Sequence, residues 1–164
     1  MMSNELVVKS DESKGELNQL VSFNLGDEEF GIEVLKVREI IRMTAITHMP
    51  NTPHYIEGII NLRGRVIPIV SMRRKFGLPE VESNSQTRII VVDVSGNLTG
   101  FIVDAVSEVI RISDSEIQPP PPVVSGGIDQ ECITGVINRT DRLLVLLSLD
   151  KMFSPGETQL FGGM

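Results

Sequence analysis

The chain has no tryptophan, one tyrosine, one cysteine and two histidines among its 164 residues. The single cysteine, Cys132, rules out an intramolecular disulfide and suits a reducing, cytoplasmic compartment. With six phenylalanines as the other apolar rings, the core has to be aliphatic, and the Ile and Val that fill it favour strands. No stretch approaches the ~20 apolar residues of a membrane-spanning helix, so no direct membrane insertion is expected. Residues 1–14 carry Glu5, Asp11 and Glu12 without a sustained apolar run, unlike a signal peptide. Positive charge is scarce as well. Fifteen Lys and Arg against 22 Asp and Glu leave a net charge of −7, which repels phosphate backbones and argues against nucleic acid as a partner.

The residues of catalysis are equally sparse. His48 and His54 stand six apart across two prolines with only Glu57 near, poor spacing for a metal and better suited to surface histidines. Cys132 has no histidine adjacent in sequence and reads as a small apolar residue. Asp93 and Asp104 imitate a carboxylate pair, but Asp104 follows a strand and starts a turn. The glycines fall where turns and caps belong rather than in a phosphate-cradling loop. An enzyme needs a positioned nucleophile, base or metal. None is indicated, and neither is a cofactor.

What the chain does contain is an internal repeat. Residues 25–32 slide onto 94–101 at an offset of 69, and 37–42 slide onto 106–111 at the same offset, with Val37, Glu39, Ile41 and Arg42 meeting identical residues. Residues 58–72 slide onto 135–149 at an offset of 77, with Gly, Ile, Asn, Arg and Ser recurring in register. The extra eight residues fit in the connection around Pro119–Pro122.

Each repeat reads as β. Val21, Phe23 and Leu25 alternate with Ser22 and Asn24, the pattern of a half-buried strand. Gly26-Asp27 signals a turn, and Phe30-Gly31-Ile32 begins the return strand. Residues 37–43 predict another strand, entered through one helical turn. Residues 59–62 and 66–70 flank Arg63-Gly64 as a hairpin. Ser71 and Ser148 are predicted N-caps of short terminal helices, and Gly77 a C′ residue. About five short strands per repeat bury little when flat, and closure removes their edges. The expected fold is therefore mainly β, two five-stranded SH3-like barrels with short helices. The first spans about 19–86 and the second about 87–153, with strands open to exchange between them, and tails cover 1–18 and 154–164. Pro119–Pro122 predicts an extended, stiff connection or a ligand for a proline-binding module, with 123–127 as a flexible continuation.

The remaining signal concerns surfaces. Asn61-Leu62-Arg63-Gly64-Arg65 sets two arginines on one tight hairpin. It is either a solvated turn or a rigid arginine offered to a partner, and the residues alone leave both readings open. Thr140 occupies the place of Arg63 in the second repeat, which suggests that the hairpin itself does not need arginine.

Residues 19–153 resemble the CheW family. The likeness is carried by residues 26–32 (GDEEFGI), 37–40 (VREI), 58–64 (GIINLRG), 66–70 (VIPIV) and 103–109 (VDAVSEV). The resemblance implies paired SH3-like barrels around a shared core, and a non-catalytic scaffold for chemotaxis signal transduction. Such a scaffold couples chemoreceptor (methyl-accepting chemotaxis protein) cytoplasmic tips to the regulatory domain of a CheA-type histidine kinase. It would act in the cytoplasm, at receptor arrays on the inner face of the membrane. The resemblance places Val37, Glu39, Gly58, Ile60, Asn61 and Arg63 at the receptor- or kinase-binding surface. Val37 is then an apolar anchor in a groove with Ile60, Glu39 a flanking charge, Gly58 a point of close approach and Arg63 a donor to a partner helix. Absence of a receiver domain or a kinase core from the sequence points to the stand-alone adaptor. An adaptor for a non-flagellar chemosensory pathway fits the same residues. A small nucleic-acid-binding barrel fits them less well, since it needs a basic face with stacking rings.

Overall fold

The structure, a computed structural model, describes residues 17–121 and 132–153. The two expected tails, apart from Leu17 and Asn18, and the expected continuation at 123–127 lie outside the described residues.

Strands dominate. β1 (Leu17–Leu25) and β2 (Glu28–Glu33) form a hairpin, and a 3-10 turn, Val34–Lys36, leads to β3 (Val37–Arg42). β4 (Ile56–Leu62) and β5 (Arg65–Ser71) form a second hairpin, followed by the one-turn helix α1 (Met72–Lys75). The second repeat supplies β6 (Arg88–Val94), β7 (Asn97–Val103), β8 (Ala105–Ser113), β9 (Ile117–Gln118), β10 (Ile133–Arg139) and β11 (Arg142–Leu147). The Ser71 hydroxyl caps α1 by accepting from Arg74 N. Ser148 makes no such bond. It precedes a single 3-10 turn, Leu149–Lys151, rather than the capped helix expected there.

The strands assemble into a sheet ordered β3-β6-β7-β5-β4 and another ordered β9-β10-β11-β2-β1-β8. Each sheet mixes the repeats, because the first hairpin of each repeat pairs with the other repeat. Ile69 of β5 lies opposite Gly100 of β7 in a parallel pairing, and Leu146 of β11 lies opposite Gly31 of β2. These two pairs interconvert under the offsets of 77 and 69 found in the sequence. Val37 opposite Val92 and Val106 opposite Phe23 are related in the same way.

The second sheet has six strands where five were expected, and β9 accounts for the difference. In the first sheet Thr47 and Ile59 exchange both backbone hydrogen bonds at 2.9 Å, an isolated bridge that joins the β3 connection to β4 and closes the barrel. β9 is the two-residue counterpart of that bridge. Gln118 opposes Val136, the repeat equivalent of Ile59.

Among the described residues, three apolar cores result. Ile60, Ile67, Ile69, Ile89 and Val91 fill the first barrel, while Leu20, Ile110, Ile112, Ile137, Leu144 and Leu146 fill the second. The largest core lies between the barrels and takes residues from both, among them Phe23, Phe30, Ile90, Phe101 and Leu147. Strand β6 faces a core on each side. That is why residues 89–92 form a continuous apolar run, all buried, instead of alternating.

Candidate partner-binding site

Six residues were expected to form one surface, and the structure divides them. Arg63 and Gly64 are the two loop residues of the β4–β5 hairpin, with φ of 52° and 88°. Two successive positive φ values define the type I′ turn, whose twist matches that of the flanking strands. Asn61 serves this turn, its Oδ1 accepting from Gly64 N at 2.8 Å. Its polar group is thereby engaged in the hairpin.

The turn aims Arg63 at Glu39 on β3. Arg63 Nη1 donates to Glu39 Oε2 at 3.1 Å, and Nη2 donates to Oε1. The bidentate fork crosses the seam closed by the Thr47–Ile59 bridge. The hydrogen bonds from Arg63 hold the Glu39 carboxyl below the ordinary carboxylate range, with partial burial opposing them. Arg63 nevertheless keeps 71% of its side chain exposed. Its cation is held in one place and still open to solvent.

Ile60 does not line a groove with Val37. It is only 5% exposed and points into the first barrel, whereas Val37 packs against the core between the barrels. The alternation of β4 decides this, since residues 56, 58 and 60 are its buried positions. Gly58 does make a close approach, but to its own chain. A Cβ there would lie 2.3 Å from the Thr47 carbonyl oxygen and 2.7 Å from Ile46 Cγ2. The glycine therefore lets the seam close.

Thr140 has no counterpart of the Arg63 fork, yet the second barrel closes its seam with a comparable pair. Arg142 Nη2 donates to Glu108 Oε2 at 2.8 Å, and Glu108 is the repeat equivalent of Glu39. Thr140 is also absent from the positive-φ residues, so the second hairpin uses a different turn. The contrast between Arg63 and Thr140 therefore reflects two ways of tying one seam.

Missing from the expected surface are exposed apolar side chains that the repeat marks twice. Ile40 on β3 is 40% exposed and its equivalent Val109 on β8 is 55% exposed; Val66 and its equivalent Leu143 are 56% and 55% exposed. The offsets pair these positions, but they pair the buried Ile60 with Ile137 equally, so the repeat alone does not mark exposure. Ile40 follows Glu39 in sequence but lies on the opposite face of β3, since it pairs with Ile90 of the inter-barrel core whereas Glu39 pairs with Val91 of the first barrel's core.

Among the described residues no group of three or more His, Cys, Asp or Glu is placed to hold a metal ion, and no helix is long and apolar enough to cross a membrane. His48 Nδ1 lies 2.9 Å from the Glu57 carbonyl, and His54 packs edge-on against Tyr55.

Two small barrels that exchange hairpins, with charge-tied seams and exposed aliphatic residues, define a β scaffold built to present surfaces. The chain belongs to the CheW family: the CheW-like domain matches residues 19–157. It is 38% identical over 141 residues to a chemotaxis protein CheW of Rhizobium meliloti, covering 86% of this chain and 90% of the relative. It is 37% identical over 142 residues to a chemotaxis protein CheW of Helicobacter pylori, covering 86% and 84%. Its fold is similar to the crystal structure of the scaffolding protein TtCheW from Thermoanaerobacter tengcongensis. That likeness has a TM-score of 0.77 at 38% identity and covers 84% of this chain and 92% of the other.

Proposed function

We propose that this protein is a non-catalytic cytoplasmic adaptor of chemotaxis, joining chemoreceptor signalling tips to the regulatory domain of a CheA-type histidine kinase. The observation that supports this reading most directly is the fork between Arg63 and Glu39. An exposed arginine held by a bidentate carboxylate has little rotamer freedom left to lose on binding. On the face of β3 opposite Glu39, Ile40 offers an exposed aliphatic contact, while Val37 packs against the inter-barrel core. A helix docks on such a surface through a few apolar anchors and one or two charged contacts. Membership of the CheW family, and relatives named as chemotaxis proteins, agree with this.

The test is reconstitution of the protein with a receptor-tip fragment and CheA. The adaptor reading expects a ternary complex and faster kinase autophosphorylation. Absence of both, or nucleotide turnover by the protein alone, would overturn it.

A further inference from the structure

Two ion pairs clasp the barrels together at the points where the chain passes from one to the other. At the first, Arg73 of α1 meets Asp104, the crossover residue between β7 and β8. Arg73 Nε donates to Asp104 Oδ1 at 2.9 Å and Nη2 donates to Oδ2 at 2.6 Å. Gly26 N, in the β1–β2 turn, donates to the same carboxylate at 2.7 Å. At the second, Lys36 in the crossover between β2 and β3 meets Asp150, with Nζ 3.0 Å from Oδ2. Ser95 N, in the β6–β7 turn, donates to Asp150 Oδ1 at 2.9 Å.

The clasps share two pairs of repeat-equivalent residues and reverse their charges, although Asp104 aligns with Leu35, one residue before Lys36. Asp150 stands 77 residues after Arg73, and Ser95 stands 69 after Gly26. In the first clasp the crossover carries the anion; in the second it carries the cation. Both carboxylates also accept the turn amide of the exchanged hairpin.

Their strengths differ for identifiable reasons. The first is a bidentate guanidinium–carboxylate pair with side chains 16% and 27% exposed. Bidentate geometry and partial burial make such a pair strong and hard for salt to screen. Residues 78–87 add a strap: Arg73 Nη1 donates to the Pro79 carbonyl at 2.7 Å, and Arg74 binds both carboxylate oxygens of Glu80. The second clasp is a single ammonium contact with side chains 47% and 34% exposed. It flanks a cleft of about 280 Å³ lined by Ile32, Asp93, Leu147 and Leu149. A monodentate, exposed lysine pair contributes little and is readily screened.

We propose that the barrels open at the Lys36–Asp150 end while the Arg73–Asp104 end holds as the hinge. The crossover that moves carries Leu35, 84% exposed, and runs directly into Val37. Opening would therefore shift the outer surface at the start of β3 and admit solvent to the inter-barrel core.

Cys132 is a built-in reporter, because it is fully buried in that core together with Leu147 and Leu149. The experiment measures its labelling by a thiol reagent, with amide exchange at Gly26 and Ser95 followed by NMR, in the wild type and in Lys36→Met. Lys36→Met, or molar salt in the wild type, is expected to raise the labelling rate and the Ser95 exchange rate at least about threefold, while Gly26 stays protected. Labelling that ignores both changes would overturn the proposal. So would acceleration of Gly26 and Ser95 together, which would report global unfolding rather than opening at one end.

Discussion

Arg63 and Glu39 stand 24 residues apart in sequence yet close the first barrel as one unit, a guanidinium fork on a carboxylate across the strand seam. The arginine occupies the first loop position of a type I′ turn, where asparagine before glycine is the favoured choice. The turn therefore carries a residue with the wrong backbone preference, whose guanidinium is tied to Glu39. Arg63→Asn is expected to leave the melting temperature within about two degrees of wild type, since the better turn residue offsets the lost surface pair. Affinity for a receptor-tip fragment is expected to fall more than about tenfold. Calorimetry beside thermal melts separates these effects; a large fall in melting temperature with affinity unchanged would make Arg63 structural.

Asp104 gives a pH dependence of definite sign. The hydrogen bonds from Arg73 lower its carboxyl most, the Gly26 amide adds to them, and burial opposes both. The unfolded value is near ~3.9, so the stabilisation is complete above that pH and disappears as pH falls through the lower folded value. Asp104→Asn is expected to cost about 2 kcal/mol at neutral pH, as for a charged hydrogen-bonded pair. The gap between variant and wild type should narrow below about pH 4. Urea melts across pH 3–7 would check this, and a gap independent of pH would contradict the assignment.

Two glycines at equivalent seams predict unequal costs. A Cβ on Gly58 meets backbone oxygen at 2.3 Å, whereas a Cβ on Gly135 meets the Cγ2 methyl of Ile117 at 2.5 Å and the Gln118 carbonyl only at 3.2 Å. A side-chain methyl can turn aside about χ1, whereas the Thr47 carbonyl is held by its hydrogen bond from Ile59 N. Gly58→Ala is expected to destabilise by about 3 kcal/mol and Gly135→Ala by about 1 kcal/mol. Comparable denaturation midpoints for the two variants would show that the seams yield equally.

Ile60, buried in the first barrel, and Ile40, exposed on β3, are expected to respond oppositely to truncation. Ile60→Ala removes a core side chain and is expected to cost about 2–5 kcal/mol without changing affinity per folded molecule. Ile40→Ser should melt within a few degrees of wild type and bind a receptor tip severalfold more weakly. Weaker binding by folded Ile60→Ala, with Ile40→Ser unaffected, would move the surface elsewhere.

The fold was legible because its signals are local or periodic. Strand alternation, turn glycines and two fixed offsets were enough to indicate a duplicated β architecture. The site was less so. Arg63 and Gly64 announce their turn, but the partner of Arg63 becomes visible only when the seam closes. Gly58 was expected from the resemblance to let a partner approach closely, whereas the close approach is to Thr47 and Ile46 of its own chain. Ile60 entered the expected surface through the family resemblance, whereas the pleat of β4 turns it into the interior of the first barrel. Ile40 and Val66 were overlooked because an exposed aliphatic residue in a strand resembles a core position in sequence.

The hairpin exchange has a consequence for how such a molecule is divided. Residues 19–86 contain β1 and β2, which belong to one sheet, and β3, β4 and β5, which belong to the other. Cut from the rest, this segment lacks neighbours for both sets, but a second copy of it supplies them. Ile69 of one copy would face Gly31 of the other, where Gly100 now stands. In connectivity the protein is an intertwined homodimer written as a single polypeptide. A separated half is thus expected to elute as a dimer on gel filtration, because the exchange that couples two barrels in one chain becomes, between chains, a rule of assembly.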